Sequence, residues 1–201
     1  MAKQQVIVIH GGDTFATYED YLIFLKAYEV DPSIFTRRGW KNGLQSELGE
    51  DYQVLLPQMP NKFNARYLEW KIWFEKLLPF FAREVNLVGH SLGALFLVKY
   101  LSEETIPLRV RGLFLVAGCF DENAEYTVAD FKLGHSFERV TSQCPKIFIY
   151  HSEDDPVVPF SDLRCFASAL PGSIERPFTD RGHFSQDDFP ELVTDIRSLA
   201  L

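Results

Sequence analysis

The strongest constraint on this chain is a series of short, uninterrupted apolar runs that stop at glycine or proline. Val6-Ile7-Val8-Ile9 is β-branched throughout and ends at Gly11-Gly12. Tyr52 to Leu56 stops at Pro57, Val85 to Val88 at Gly89, and Val110 to Ala117 at Gly118, while Lys146 to Tyr150 begins after Pro145. Ser173 to Phe178 is a weaker sixth run. A strand with one wet face alternates apolar and polar residues. Continuous apolar strands belong instead to a sheet covered on both faces, which usually means parallel pairing.

Parallel neighbours need long crossovers, and the intervening segments have helical character. Thr17 can cap a helix whose Asp20 sits three positions on, with Tyr21, Leu22, Phe24, Leu25 and Tyr28 at helical spacing. Trp40–Leu48 is a second candidate, and Leu68–Leu78 a third, with Trp70, Phe74, Leu77 and Leu78 on its apolar side. Ala94–Leu101 is almost wholly apolar and should lie against the sheet centre. Ser161–Leu170 and Phe189–Leu199 complete the set, the last with Pro190 suited to a first turn. The alternation predicts one α/β domain over residues 1–201, with right-handed crossovers, a mainly parallel sheet of about six strands and helices on both faces.

With 46% hydrophobic residues among 201, the chain has ample core material. Its 28 acidic and 20 basic side chains leave a net charge of −8, which argues against general nucleic-acid binding, since that needs a basic face for phosphates. No apolar run approaches the roughly 20 residues that span a bilayer. The Val6–Ile9 stretch is too short for the core of a signal peptide. Cys119, Cys144 and Cys165 are scattered and form no CxxC pair, so a reducing, cytoplasmic setting is expected.

Chemistry enters at Gly89-His90-Ser91-Leu92-Gly93, a G-x-S-x-G sequence between the third apolar run and the most apolar helix. That is the strand–turn–helix setting of a nucleophile elbow. A sharp turn lifts the Ser91 hydroxyl above the strand ends, flanking glycines let strand and helix approach, and the helix N-terminus favours developing negative charge. Serine is a weak nucleophile and needs a base. Among His10, His90, His135, His151 and His183, chain order selects His183, because this arrangement runs Ser…Asp…His. His10 is expected to order its loop, His90 is too constrained in the elbow to reach Ser91, and His151 should be structural or line the pocket.

The base in turn needs a buried carboxylate to hold its tautomer. Glu153, Asp154 and Asp155 compete, and Asp155 is preferred over Asp154 because it leads into the apolar Pro156-Val157-Val158-Pro159 anchor. Oxyanion donors are expected from the Leu92 backbone and the His10-Gly11-Gly12-Asp13 loop, with Gly12 ahead of Asp13. No GxGxxG or GxxxxGK[ST] follows that glycine pair, which makes a nucleotide site improbable. Phe15, Trp40, Phe63, Phe120 and Phe184 are read as core in preference to pocket.

His10-Gly11-Gly12, Gln58-Met59-Pro60-Asn61, Trp70, the Gly89–Gly93 elbow, Asp154 to Pro159 and Gly182-His183-Phe184 together resemble α/β-hydrolases. More narrowly, they resemble the small serine hydrolases related to retinoblastoma-binding protein 9. The resemblance implies a three-layer fold with a minimal lid, no cofactor, Ser91 as nucleophile, Asp155 as acid and His183 as base. Thr14 to Gly39 departs from it as an inserted helical segment beside the oxyanion loop. One face of its Thr17–Tyr28 helix is expected to border the pocket, the rival being core packing or a dimer contact. The leading reading is a serine hydrolase of a small carboxylic ester, thioester or amide, working through an acyl-enzyme. The alternative is a non-catalytic protein-binding module on the same scaffold, and metal-dependent hydrolysis finds no ligand spacing such as HExxH.

Overall fold

The computed structural model describes residues 3–36, 38–121 and 127–199. Strands β1 (Gln4–Ile9), β2 (Tyr52–Leu55), β3 (Glu84–His90), β4 (Arg109–Val116), β5 (Ile147–Ser152) and β6 (Ile174–Phe178) form one sheet ordered β2-β1-β3-β4-β5-β6. Every neighbouring pair is parallel, so the sheet expected to be mainly parallel is wholly so among the described residues.

The helices are α1 (Tyr18–Ala27), α2 (Trp40–Leu48), α3 (Tyr67–Leu77), α4 (Leu92–Glu103), α5 (Glu138–Gln143), α6 (Ser161–Ala169) and α7 (Pro190–Ser198). Side chains alternate across each strand, and the two core clusters follow that alternation. Ile7, Ile9, Leu87, Leu113 and Ile149 pack with Trp70, Phe74, Phe96 and Phe166 of α3, α4 and α6. Val6, Val8, Phe114 and Tyr150 pack with Trp40, Leu44, Leu192 and Ile196 of α2 and α7 on the other face. The result is the expected three-layer architecture.

From β1 the chain steps outward to β2 and then crosses to the other side of β1 to lay down β3. The strand order therefore reverses between β1 and β3, and ligands of open α/β sheets bind beyond the carboxyl ends of strands at such a point. The loop after β1 and the turn after β3 both lie there. Among the described residues no helix is long and apolar enough to cross a membrane.

Three helices add to the sequence expectation. α4 starts at Leu92, two residues before Ala94, because the turn is completed within Ser91 itself. The short α5 carries no sequence signal, since Val140 is its single buried residue and gives no period. α1 forms where expected, with Thr17 and Asp20 making a reciprocal capping box, but none of its residues is buried.

Candidate active site

Ser91 sits at φ 55°, ψ −125°, a conformation that costs a non-glycine residue on the order of 1–3 kcal/mol. Surrounding structure holds it there. Its amide donates to the Val116 carbonyl at 2.8 Å, tying the turn to β4. A Cβ on Gly89 would fall 2.5 Å from the Ala94 Cα, and one on Gly93 would fall 2.4 Å from the Ile9 carbonyl oxygen. Both glycines are thus required by backbone-to-backbone approach: one lets α4 fold back on β3, the other lets α4 slide under the end of β1. Leu92, the first residue of α4, has an amide with no intrahelical partner.

The segment between β6 and α7 brings His183 to the same place. Its Nδ1 lies 2.9 Å from Asp155 Oδ2 and 3.1 Å from Oδ1. The Asp155 side chain is fully buried and its Oδ1 also accepts from the Val157 and Val158 amides at 2.8 and 3.0 Å. The Pro-Val-Val-Pro anchor therefore folds back onto the carboxylate and aims it. Asp154, the second choice for the acid, makes no hydrogen bond to the His183 ring among the described residues. Its Oδ1 accepts from the Gly182 amide at 2.8 Å and from the Ser152 hydroxyl at 2.5 Å, while Ser152 Oγ accepts from the Arg181 amide at 2.9 Å. Those hydrogen bonds hold the Asp154 carboxyl below its ordinary range.

His183 lies between two left-handed residues, Gly182 at φ 49° and Phe184 at φ 50°. The far side of this loop is fixed by Trp40 Nε1, which donates to the Phe184 carbonyl at 2.9 Å, and by the buried Phe184 ring. His90 Nε2 meets the His183 carbonyl at 3.0 Å. The carbonyl can only accept, so His90 Nε2 is the donor in that contact, and burial, with nearby Lys41 and His183, holds the imidazole well below its ordinary 6.5. The His90 ring packs 4.9 Å from the His183 ring, and among the described residues no hydrogen bond joins it to Ser91, although it borders the same cavity. Among the described residues no hydrogen bond joins Ser91 to His183. Such contacts are commonly loose before substrate binds.

His10 orders its loop as anticipated. Its Nδ1 contacts the Gly11 carbonyl at 2.6 Å and its Nε2 accepts from the Met59 amide at 2.9 Å. Gly11 passes so close to the elbow that a Cβ there would lie 3.0 Å from Ser91 Cβ. The Asp13 amide is already committed to the Lys62 carbonyl at 2.8 Å, which leaves Gly12 as the better oxyanion donor of the two. A Cβ on Gly12 would fall 2.6 Å from that same Lys62 oxygen.

Ser91, Leu92, Gly12 and His183 line one cavity of about 620 Å³, with Asp155 behind His183. Two aromatic assignments change here. Phe15 and Phe63 border the cavity and are not core, and Phe24 of α1 joins them. Trp40 and Phe184 are core as read. His151 is buried, with its imidazole pushed down to about 4 by loss of solvent, and it does not line the cavity. Cys119 does, its thiol pushed up to about 12 by burial. The sequence reading misses Ser152, the Trp40–Phe184 hydrogen bond and the Asp154–Gly182 contact. The signal for Ser152 and Asp154 was available in the polar turn that opens the Asp155 segment. Among the described residues no group of three or more His, Cys, Asp or Glu side chains is arranged to hold a metal ion.

A parallel sheet between helical layers, with a serine on a strained strand-to-helix turn at the point where strand order reverses, defines an α/β-hydrolase. The chain belongs to the family described as serine hydrolase, whose model matches residues 36–190. It is similar to serine hydrolase RBBP9 of Rattus norvegicus, 29% identical over 168 residues that span 80% of this chain and 84% of the relative. It is also similar to YdeN of Bacillus subtilis, 23% identical over 143 residues, 70% of this chain and 75% of that one. The crystal structure of the B. subtilis ydeN gene product shares the fold at TM-score 0.77 and 21% identity, covering 98% of both chains.

Proposed function

We propose that this protein hydrolyses a carboxylic ester, thioester or amide through Ser91, His183 and Asp155. Ser91 Oγ attacks the acyl carbon while His183 Nε2 takes its proton. The resulting oxyanion is met by the Leu92 and Gly12 amides. The bond to the leaving group breaks as His183 passes the proton to it, and an acyl-Ser91 ester remains. Water then repeats the sequence, with His183 taking its proton and returning one to Ser91 Oγ as the acid departs. Asp155 accepts from the proton-bearing Nδ1 of His183 and holds the ring in that tautomer.

The observation that carries this reading is the convergence on one cavity of an elbow serine and a histidine whose far nitrogen lies 2.9 Å from a buried carboxylate. A module that only binds partners has no use for a carboxylate–imidazole pair sharing one cavity with a strained serine. The test is turnover of p-nitrophenyl esters by the protein and by Ser91→Ala. Loss of a nucleophile from such a triad elsewhere lowers kcat by up to about 10⁶, so the variant should retain its fold and lose activity by several powers of ten. Comparable turnover by Ser91→Ala would exclude the mechanism.

A further inference from the structure

A cavity of about 620 Å³ is far larger than an ester group alone needs, and lies in the range, roughly 300–1,000 Å³, of pockets that enclose a whole small molecule. Its extra space has a particular character. Phe15 and Phe24 stand 5.0 Å apart and, with Phe63, form an aromatic wall of the cavity, while Tyr28, outside the lining, contacts both Phe24 and Phe63 at 5.3 and 6.4 Å. Leu92, Val128 and Val158 face the same space. Among the described residues, Asp13 and Lys62 are the acidic and basic side chains at the cavity, opposite in sign and close enough to act on each other. They therefore present no net charge to a substrate.

The wall depends on α1. That helix has no buried residue, so its aromatic side chains are not there to fill a core. Phe24 is the α1 residue that borders the cavity. Ile23 on the same helix is 58% exposed and faces away. The family match begins at residue 36, so α1 lies outside it. Resting on the hydrolase reading above, we propose that Phe15, Phe24 and Phe63 form a subsite for an uncharged apolar arm of the substrate, alkyl or aryl, and that Phe24 sets the size of that arm.

Two ester series test this and separate the two ends of the substrate. One is the p-nitrophenyl esters of acetate, butyrate, hexanoate and octanoate. The other is acetates of alkyl and aryl alcohols of rising size. The subsite should raise kcat/KM about threefold to fourfold per added methylene in one series until the cavity is full. Whichever series responds identifies the arm as acyl or alcohol. Phe24→Trp should move the optimum to a shorter arm, and Phe24→Ala to a longer one. Merely fastening α1 would not produce opposite shifts, and thermal melts would report that role separately. A flat profile in both series would overturn the proposal. So would equal loss on all arms in both variants, or faster turnover of a charged succinyl arm than of an apolar arm of equal length. Fluorophosphonate labelling of Ser91, run in parallel, distinguishes the failures. A labelled Ser91 with a flat profile refutes the subsite alone, whereas an unlabelled Ser91 without ester turnover refutes the hydrolase reading and the subsite with it.

Discussion

Replacing Asp155 by Asn changes one atom and should disable His183 through its tautomer. Asp155 Oδ1 receives the Val157 and Val158 amides at 2.8 and 3.0 Å, and Oδ2 lies 2.9 Å from His183 Nδ1. In the variant, the two backbone donors must find the amide oxygen. The flipped orientation would set an NH₂ against two N–H groups and forfeit two hydrogen bonds, a cost of about 2 kcal/mol before any penalty for leaving buried donors unpaired. The oxygen therefore stays on the Val157–Val158 side, and the NH₂ points at His183. His183 must then accept at Nδ1 and carry its proton on Nε2, where it cannot take the proton of Ser91. The expected loss in kcat is on the order of 10⁴, about 5 kcal/mol of barrier. The assay is hydrolysis of p-nitrophenyl butyrate, with circular-dichroism melts to establish that the variant is folded. A folded Asp155→Asn protein within tenfold of the parent would refute the argument and reopen the choice of acid.

Asp154 separates by a different pattern. Asp154→Asn keeps an oxygen for the Gly182 amide and the Ser152 hydroxyl, and should stay within about threefold of the parent. Asp154→Ala frees the His183 loop and should lower kcat/KM on the order of tenfold; equal effects of the two substitutions would count against a positioning role. Gly93→Ala would ordinarily stabilise a helix by about 1 kcal/mol, yet its Cβ would fall 2.4 and 2.6 Å from the Ile9 and His10 carbonyl oxygens. The backbone clash should prevail, with net destabilisation of about 1–3 kcal/mol and loss of activity, and a raised melting temperature would contradict this. Burial also keeps His90 and His151 neutral in the folded chain below their ordinary value of 6.5. The unfolded chain binds those protons first, so stability should fall as pH drops below about 6.5, by about 1.4 kcal/mol per pH unit for each histidine. For His151 this continues down to about pH 4. Urea midpoints at pH 7.5 and 5 should show the decline and His151→Asn should lessen it; identical midpoints would speak against it.

The apolar runs made the strands and the parallel sheet legible because continuous apolar sequence has few other uses in a chain this short. The elbow was legible because its serine and glycines are local, and the preference for Asp155 came from the proline-flanked anchor that follows it. The order β2-β1-β3 was not legible, since an apolar run does not say which neighbour it pairs with. Nor were the contacts that fix His183, because Trp40 reaches Phe184 across 144 positions and Asp154 reaches Gly182 across 28. Phe15 and Phe63 were read as core because an aromatic side chain carries no mark of whether it packs against protein or faces a cavity. Only the position of α1 over the strand ends separates those roles.

Treatment with a fluorophosphonate, followed by peptide mapping, tests the central claim most directly. The reagent reports an activated serine, and it does so without any assumption about the natural substrate. The mechanism predicts one adduct, on the peptide that contains Ser91, with labelling slowed by Asp155→Asn and abolished by Ser91→Ala. A folded protein that takes no label, or takes it on another residue while Ser91 remains unmodified, would contradict the assignment of Ser91 as an activated nucleophile.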